Sequence, residues 1–138
     1  MWRILIMDDE ADTRTFIEDV LKSAGYEVVS AADGVEGMQQ YHSKPVDLAL
    51  VDLFMPRREG LETIKELRQQ APDFPIVAMS GDSLALPLLS VAQRLGAMEV
   101  LQKPFLPAEL LEAIKHALRP RRRHTSKKQP SGNVRRRN

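Results

Sequence analysis

The 138-residue chain is predicted to form an α/β domain in which a five-stranded parallel sheet carries helices on both faces. Short, continuous apolar runs alternate five times with segments whose apolar residues recur at helical spacing. Four of the runs are rich in β-branched residues, which is typical of strands covered on both sides. Repeated strand–helix alternation favours a parallel sheet with right-handed crossovers and five helices.

The five apolar runs are interpreted as strands. Each is only four to six residues long, which is short for a buried helix. In chain order they are Ile4–Met7, Val28–Ala32, Val46–Val51, Ile76–Met79 and Met98–Leu101.

Three of the predicted helices carry an apolar stripe and stop at a glycine or a proline. The stripes are formed by Phe16, Ile17, Val20, Leu21 and Ala24, by Leu61, Ile64, Leu67 and Ala71, and by Leu110, Leu111, Ile114, Ala117 and Leu118. Gly25, Pro72 and Pro120 follow these stripes in turn. The other two helices are predicted at Asp33–Tyr41 and Pro87–Leu95, with Pro87 near a first turn.

Composition excludes several classes of protein. The chain has no cysteine, which excludes disulfides and thiolate metal sites. No apolar run approaches the roughly 20 residues that span a bilayer, and the N-terminus does not resemble a signal peptide. A cytoplasmic location is therefore expected.

Charge divides the chain in two. Residues 1–118 hold 11 Lys and Arg against 19 Asp and Glu, a net charge of −8, whereas residues 119–138 hold 9 Lys and Arg and no acid, a net charge of +9. We predict a folded domain over 1–118 and a basic tail over 119–138, disordered when isolated because it has too few apolar residues to offset its ordering entropy. The basic residues beyond Arg119 are Arg121, Arg122, Arg123, Lys127, Lys128, Arg135, Arg136 and Arg137.

The tail's charge leaves three targets open: nucleic acid, an anionic membrane surface and the acidic face of the domain itself. Specific nucleic-acid recognition is disfavoured, because no aromatic residue is interleaved with the basic ones. A solvated tail is the simplest interpretation.

Polar residues follow four of the five predicted strands. Asp8-Asp9-Glu10 follows the first, Asp52 the third, Ser80 the fourth and Lys103 the fifth. Ligands of parallel sheets bind at the carboxyl ends of the strands, so these side chains are candidates for one site.

Each of these groups has a chemical role and a structural alternative. Adjacent carboxylates favour a divalent cation such as Mg²⁺, although one acid could instead cap the helix beginning near Ala11. The Asp52 carboxylate is a competent nucleophile toward a phosphoryl group, or simply an acid at a loop entrance. Ser80 and Lys103 could bind phosphoryl oxygens, or be a turn serine and a surface lysine. Together they supply the positioning and charge neutralisation that phosphoryl transfer needs.

The motifs Asp8-Asp9, Asp52 with Met55-Pro56, Ser80-Gly81 and Lys103-Pro104-Phe105 resemble those of the receiver domains of response regulators in two-component signal transduction. The resemblance covers about residues 2–118. It implies a flavodoxin-like, doubly wound sheet with strand order 2-1-3-4-5.

The resemblance also implies roles for individual residues. Asp52 would accept a phosphoryl group from a histidine kinase or a phosphotransfer protein. Mg²⁺ would be bound by Asp9, Asp8, Asp52 and the backbone carbonyl of Phe54. Ser80 and Lys103 would bind the phosphoryl group, and the Lys103–Pro104 peptide would be cis.

A domain of this kind is a signalling phosphoacceptor, capable of Mg²⁺-dependent self-phosphorylation and self-dephosphorylation, rather than an enzyme with its own substrate. Its downstream protein partner is not identified by the sequence. Family members often pair when phosphorylated, so a phosphorylation-dependent dimer is an expectation. The 20-residue tail is too short for a helix-turn-helix output module, which leaves a stand-alone receiver or a fragment.

Three features depart from the family pattern. Phe54 stands where many relatives have a polar residue and could obstruct the water that hydrolyses the phosphate, whereas Asp82 could orient it. Val100 stands where a switchable aromatic residue is usual, so either the output face of the predicted fourth helix, fifth strand and fifth helix works differently here or the output lies elsewhere. Arg57-Arg58 could attract an acidic partner, although a solvated loop is the preferred interpretation.

Two other functions share features with this sequence. A receiver-like binding module would keep the fold, dispense with phosphorylation and act through its basic tail. A haloacid-dehalogenase-type phosphatase also uses an Asp nucleophile, Mg²⁺, Ser or Thr and Lys. That family places its nucleophile after the first strand and needs an acidic pair after the lysine, whereas nothing acidic follows Lys103 before Glu109.

Overall fold

The computed structural model describes residues 1–55, 59–81 and 86–119. Within them, five parallel strands form one sheet, and the strands are β1 (Arg3–Met7), β2 (Glu27–Ala31), β3 (Leu48–Asp52), β4 (Ile76–Ser80) and β5 (Glu99–Gln102). The helices are α1 (Ala11–Ser23), α2 (Gly34–Ser43), α3 (Glu59–Gln70), α4 (Leu86–Leu95) and α5 (Pro107–Leu118). The strand order β2-β1-β3-β4-β5 confirms the expected doubly wound topology.

Several predictions lie outside the described residues. They concern Arg57 and Arg58, Asp82, and the tail from Pro120 onward with all eight basic residues named for it.

Alternate residues of the strands supply two hydrophobic cores, one on each face of the sheet. On β1, Leu5 and Met7 belong to the core beneath α2, α3 and α4. Ile4 and Ile6 belong to the core beneath α1 and α5. All four side chains are fully buried, so the continuous apolar run of this strand reflects cover on both faces.

The two outer strands pack against both cores, as predicted, but they are less buried than the central strands. β2 and β5 are partly exposed along most of their length, because each forms an edge of the sheet and has a neighbour on one side only. An apolar run alone does not distinguish a central strand from an edge strand. Met98, predicted to lie within the fifth strand, precedes β5 and is exposed.

The apolar stripe of α1 is narrower than predicted. Ile17 and Leu21 are fully buried, but Phe16 is 40% exposed and Ala24 lies past the end of the helix. Phe16 lies one residue before the buried stripe, and its ring pairs with that of Phe105 at a centroid distance of 6.2 Å. Gly25, at φ +95°, follows the helix as predicted.

The loops near the ends of α3 and α4 are held by one arginine. The Arg68 guanidinium donates to the carbonyls of Ala71, Pro72 and Gly96 at 3.0, 2.7 and 2.6 Å. Gly96, at φ +123°, adopts a left-handed conformation that favours glycine. The arginine thereby links the loop between α3 and β4 to the loop between α4 and β5.

Among the residues described, none of the helices has the length and apolar character needed to cross a membrane.

Candidate functional site

The strand register brings the polar residues at the strand ends together. Met7 of β1 pairs with Val51 of β3. The residues that follow them in the chain, Asp8 and Asp52, therefore lie side by side. Asp52 pairs with Met79 of β4, one residue before Ser80. Ser80 in turn pairs with Gln102 of β5, one residue before Lys103. The carboxyl ends of these four strands therefore lie side by side, as predicted.

Three carboxylates form a cluster at the carboxyl ends of the strands. One oxygen from each of Asp8, Asp9 and Asp52 can be chosen so that all lie within 4.8 Å of one another. Asp8 is 0% exposed and Asp52 is 3% exposed, whereas Asp9 is open to solvent. Like charges this close and this buried repel one another strongly unless cations compensate them.

Lys103 supplies a positive charge to this cluster. Its Nζ lies 2.8 Å from Asp8 Oδ2 and 3.3 Å from Asp52 Oδ2, with Glu10 Oε1 at 4.0 Å. The Lys103–Pro104 peptide bond is cis, as expected. The Lys103 N–H also donates to the Ser80 carbonyl at 2.8 Å, which fixes the backbone next to the ammonium.

Asp8 and Asp52 use their two oxygens in the same way. Asp8 Oδ1 accepts from the Glu10 N–H at 2.9 Å, and Asp52 Oδ1 accepts from the Phe54 N–H at 3.0 Å. In both residues Oδ2 contacts Lys103. Each carboxylate is thus oriented by its own turn, with one oxygen aimed at the ammonium.

The capping alternative is not observed. Glu10 occupies the N-cap position of α1, and its side chain makes no capping hydrogen bond. Asp8 bonds within the turn before the helix, so its carboxylate belongs to the cluster at the strand ends.

Burial shifts the pKa of Asp52 upward. Loss of solvent is the main cause, and the Asp8 charge acts in the same direction, while the Phe54 N–H and Lys103 oppose it without cancelling it. Burial alone would lower the pKa of Lys103, but its hydrogen bond to Asp8 and the charges of Asp52 and Asp8 raise it above the ordinary value. The lysine therefore stays charged at neutral pH.

Three further predicted residues lie near the site or beyond it. Ser80 is fully buried at the end of β4. Phe54 is 60% exposed and follows Asp52 closely in the chain, and its N–H orients Asp52. Val100 pairs with Ala78 and lies partly buried on β5, where it packs against the core beneath α2, α3 and α4.

The sequence reading missed residues that hold the site in place. Arg14 of α1 donates to the Asp8 carbonyl at 2.7 Å, and the Thr13 hydroxyl donates to Glu10 Oε1 at 3.1 Å. Gly60, in the first turn of α3, lies so close to β3 that an added Cβ would be 2.6 Å from the Cα of Leu53. The only indication of these contacts in the sequence is that Thr13 and Arg14 lie within six residues of Asp8 and that Gly60 lies eight residues after Asp52.

The donor set fits a hard divalent cation. Mg²⁺ takes oxygen ligands and is commonly held by one or two carboxylates together with water. Asp8, Asp9 and Asp52 offer oxygens at one place, and the exposed Asp9 leaves that place open to solvent.

The fold and the residues at the strand ends define a receiver domain of the kind found in response regulators. Residues 4–115 match the family model of the response regulator receiver domain, and the chain belongs to that family. It is therefore a signalling domain of two-component systems.

Individual relatives are of two sizes. The chain is 33% identical over 117 residues to the alkaline phosphatase synthesis transcriptional regulatory protein PhoP of Bacillus subtilis, covering 85% of this chain and 48% of that protein. It is 33% identical over 113 residues to the chemotaxis protein CheY of Thermotoga maritima, covering 81% of this chain and 93% of that protein. The chain spans about half the length of the transcriptional regulators it matches.

A solved structure of a receiver domain has the same fold. A CheY-like response regulator receiver domain protein from Methanospirillum hungatei superposes with a TM-score of 0.83 at 30% identity, covering 90% of this chain and 98% of that one.

Proposed function

We propose that the chain is a phosphoacceptor that receives a phosphoryl group on Asp52 and thereby changes its affinity for a protein partner. The observation that carries this proposal is the setting of Asp52, a buried strand-end carboxylate grouped with Asp8 and Asp9 and contacted by Lys103. We assign the receiver to residues 1–118 and treat 119–138 as a separate basic tail.

The proposed reaction is an in-line displacement at phosphorus. An Asp52 oxygen forms a P–O bond while the bond between phosphorus and the donor atom breaks. With a phosphohistidine of a histidine kinase or phosphotransfer protein as donor, the leaving imidazole nitrogen takes a proton. The product is an acyl phosphate, and the chain contributes a pre-oriented nucleophile because the Phe54 N–H already fixes Asp52 Oδ1.

Charge is the main obstacle to this reaction, and the site has groups that reduce it. Asp8, Asp9 and Asp52, with the backbone carbonyl of Phe54, are the groups we expect to hold Mg²⁺. When bound, the ion neutralises carboxylates and phosphoryl oxygens. Lys103, whose Nζ lies 3.3 Å from Asp52 Oδ2, is expected to pair with a phosphoryl oxygen, and the Ser80 hydroxyl is expected to donate a hydrogen bond to another.

The test is intact-mass spectrometry after incubation with acetyl phosphate. We expect one phosphoryl adduct that requires Mg²⁺, is absent in chelator and is lost in Asp52→Asn. Asp19→Asn, an exposed acid on α1, is the matched control and should still be phosphorylated. An adduct that persists in Asp52→Asn, or that forms without a divalent ion, contradicts the assignment.

The adduct, together with assays of partner binding and of phosphomonoester turnover, separates the rival functions. A binding module without phosphorylation gives no adduct, and its partner binding survives Asp52→Asn. A phosphatase turns over a phosphomonoester repeatedly instead of accumulating one acyl phosphate.

A further inference from the structure

A groove of about 610 Å³ runs between edge strand β5 and helix α5, away from the phosphoacceptor site. Its apolar lining comes from small or half-buried side chains, including Leu101, Ala108 and Ala113. Among the residues described, no strand pairs with the outer edge of β5. This groove therefore offers an apolar surface beside an edge strand, with space for an extended segment.

The charged residues of the groove are arranged along one side of α5. Glu109, Glu112 and His116 succeed one another at spacings of three and four residues, so they share a helix face. Glu99 of β5 lies across from them and pairs with His116 at 2.7 Å. The groove thus presents three carboxylates over its apolar lining.

These carboxylates can accept further hydrogen bonds and ion pairs. Glu109 accepts one hydrogen bond, from the Leu106 N–H at 2.7 Å. Within the described ranges, Glu112 has no hydrogen-bond or ion-pair partner, and none of the three carboxylates is paired with a lysine or an arginine. A basic ligand would supply the missing charge.

The chain's own tail begins at the end of this groove. Arg119 follows His116 by three residues and continues the same helix face. From Arg119, an extended chain brings Arg121–Arg123 within roughly 7 to 14 Å. The path back along α5 from Arg119 to Glu109 is ten residues, about 15 Å, and an arginine side chain adds to the reach of the backbone. The first arginine triplet therefore matches the groove in reach.

We propose that the β5–α5 groove binds the basic segment 120–138 of the same chain, with Arg121–Arg123 against Glu99, Glu109 and Glu112. Arginine suits both parts of the groove, because its aliphatic stem covers apolar surface while its guanidinium pairs with carboxylates. Attachment next to the groove gives the segment a high effective concentration there. The contact does not depend on phosphorylation of Asp52.

A second groove with acidic residues provides the comparison. Glu62 and Glu66 of α3 line a space of about 390 Å³ between α2 and α3. These helices pack on the opposite face of the sheet from α5. The tail would have to pass around a sheet edge to reach it, so the β5–α5 groove is favoured by proximity.

The test uses paramagnetic relaxation in the full-length chain. Because the chain has no cysteine, Ser126→Cys carries a nitroxide at one place in the tail. We expect the amide signals of Val100, Leu101 and Ala113 to broaden more than those of Met38 and Glu62 at the second groove. Replacing Arg121, Arg122 and Arg123 with Gln should abolish the difference, whereas replacing Arg135, Arg136 and Arg137 should retain most of it.

Charge variants of the two grooves identify the binding face. The double variant Glu109→Gln/Glu112→Gln should lose the selective broadening, and the matched double variant Glu62→Gln/Glu66→Gln should keep it. Uniform broadening over the surface, or selective broadening at the second groove, overturns the proposal. A mixture of isotope-labelled protein without nitroxide and unlabelled protein with nitroxide should show no broadening. Broadening in that mixture would assign the contact to a second copy and overturn the intramolecular contact.

Discussion

Asp8 and Asp52 place two carboxylates beside one ammonium, Lys103, where solvent hardly reaches. In the absence of a divalent cation this arrangement is under-compensated, because Asp9 and Glu10 add further negative charge nearby. On the proposed function, activity and stability are therefore opposed at the two buried aspartates. Their carboxylates are expected to destabilise the metal-free protein, whereas Lys103 is expected to stabilise it.

Removing the Asp52 charge should stabilise the metal-free protein. In chelator, we expect Asp52→Asn to raise the free energy of unfolding by about 1 kcal/mol, because one buried like charge is lost. Lys103→Met should lower it by roughly 3 kcal/mol, because two buried carboxylates lose their counter-charge. Urea denaturation measures both, with exposed Asp19→Asn as the neutral control. Destabilisation by Asp52→Asn would show that the site is already compensated without metal.

The raised pKa of Asp52 fixes the sign of a pH dependence. Burial makes the folded state bind this proton more readily than the unfolded state does, so protonation of Asp52 stabilises the metal-free fold. This contribution should increase as pH falls through the raised pKa and be absent in Asp52→Asn. Self-phosphorylation should change in the opposite direction, since only the ionised carboxylate attacks phosphorus. Parallel loss of stability and rate on acidification, with the Asp52→Asn stability profile unchanged from the parent, would contradict this account.

Phe54 is expected to prolong the life of the acyl phosphate. Its large apolar side chain lies two residues after the acceptor, where it can keep the hydrolytic water away. We predict that Phe54→Asn accelerates dephosphorylation roughly tenfold, a change of about 1.4 kcal/mol in the barrier. The decay of the phosphorylated mass after donor removal measures it. Phe16→Asn, another exposed phenylalanine, is the control, and equal lifetimes for Phe54→Asn and the parent would refute the role.

At the level of elements, the approach of α3 to β3 is controlled by one glycine. A Cβ on Gly60 would meet the backbone of Asp52 and Leu53, which cannot move without shifting the acceptor. A Cβ on Gly37 of α2 would instead meet the flexible end of the Met7 side chain. The two helical glycines are thus a matched pair with different neighbours.

Gly60→Ala should therefore impair both folding and phosphorylation. We expect a loss of about 1–3 kcal/mol in the free energy of unfolding, together with slower self-phosphorylation. Gly37→Ala should be nearly neutral in both measurements, because a methionine side chain adjusts easily and alanine favours the helix. Thermal denaturation and mass spectrometry on the two variants test this. Equal effects of the two substitutions would argue that the contact with β3 is unimportant.

Hydrophobic spacing predicted the type and order of the elements, because strands and helices have different periods. It did not predict which strands form edges, since the cover on β2 and β5 depends on neighbours distant in sequence. The strand-end rule brought together Asp8, Asp52, Ser80 and Lys103. It could not find Arg14 or Gly60, whose contacts arise from helix orientation and close approach.

For the molecule as a whole, the hydrophobic cores formed by the described residues draw on residues 4–118. Their last buried member is Leu118, and Arg119 is exposed. The tail's expected contact is electrostatic and surface-exposed, and contacts of that type contribute little to stability. The free energy of unfolding should therefore come almost entirely from residues 1–118.

Removal of residues 120–138 should leave stability nearly unchanged. At about 0.5 M salt, where surface charges are screened, we expect the free energy of unfolding in urea to change by less than about 0.5 kcal/mol. Leu118→Ala in the full-length chain should cost about 2–4 kcal/mol, because it opens a cavity between α5 and the sheet. If truncation cost as much as Leu118→Ala, the tail would belong to the folded core, and the division of the chain near residue 118 would be wrong.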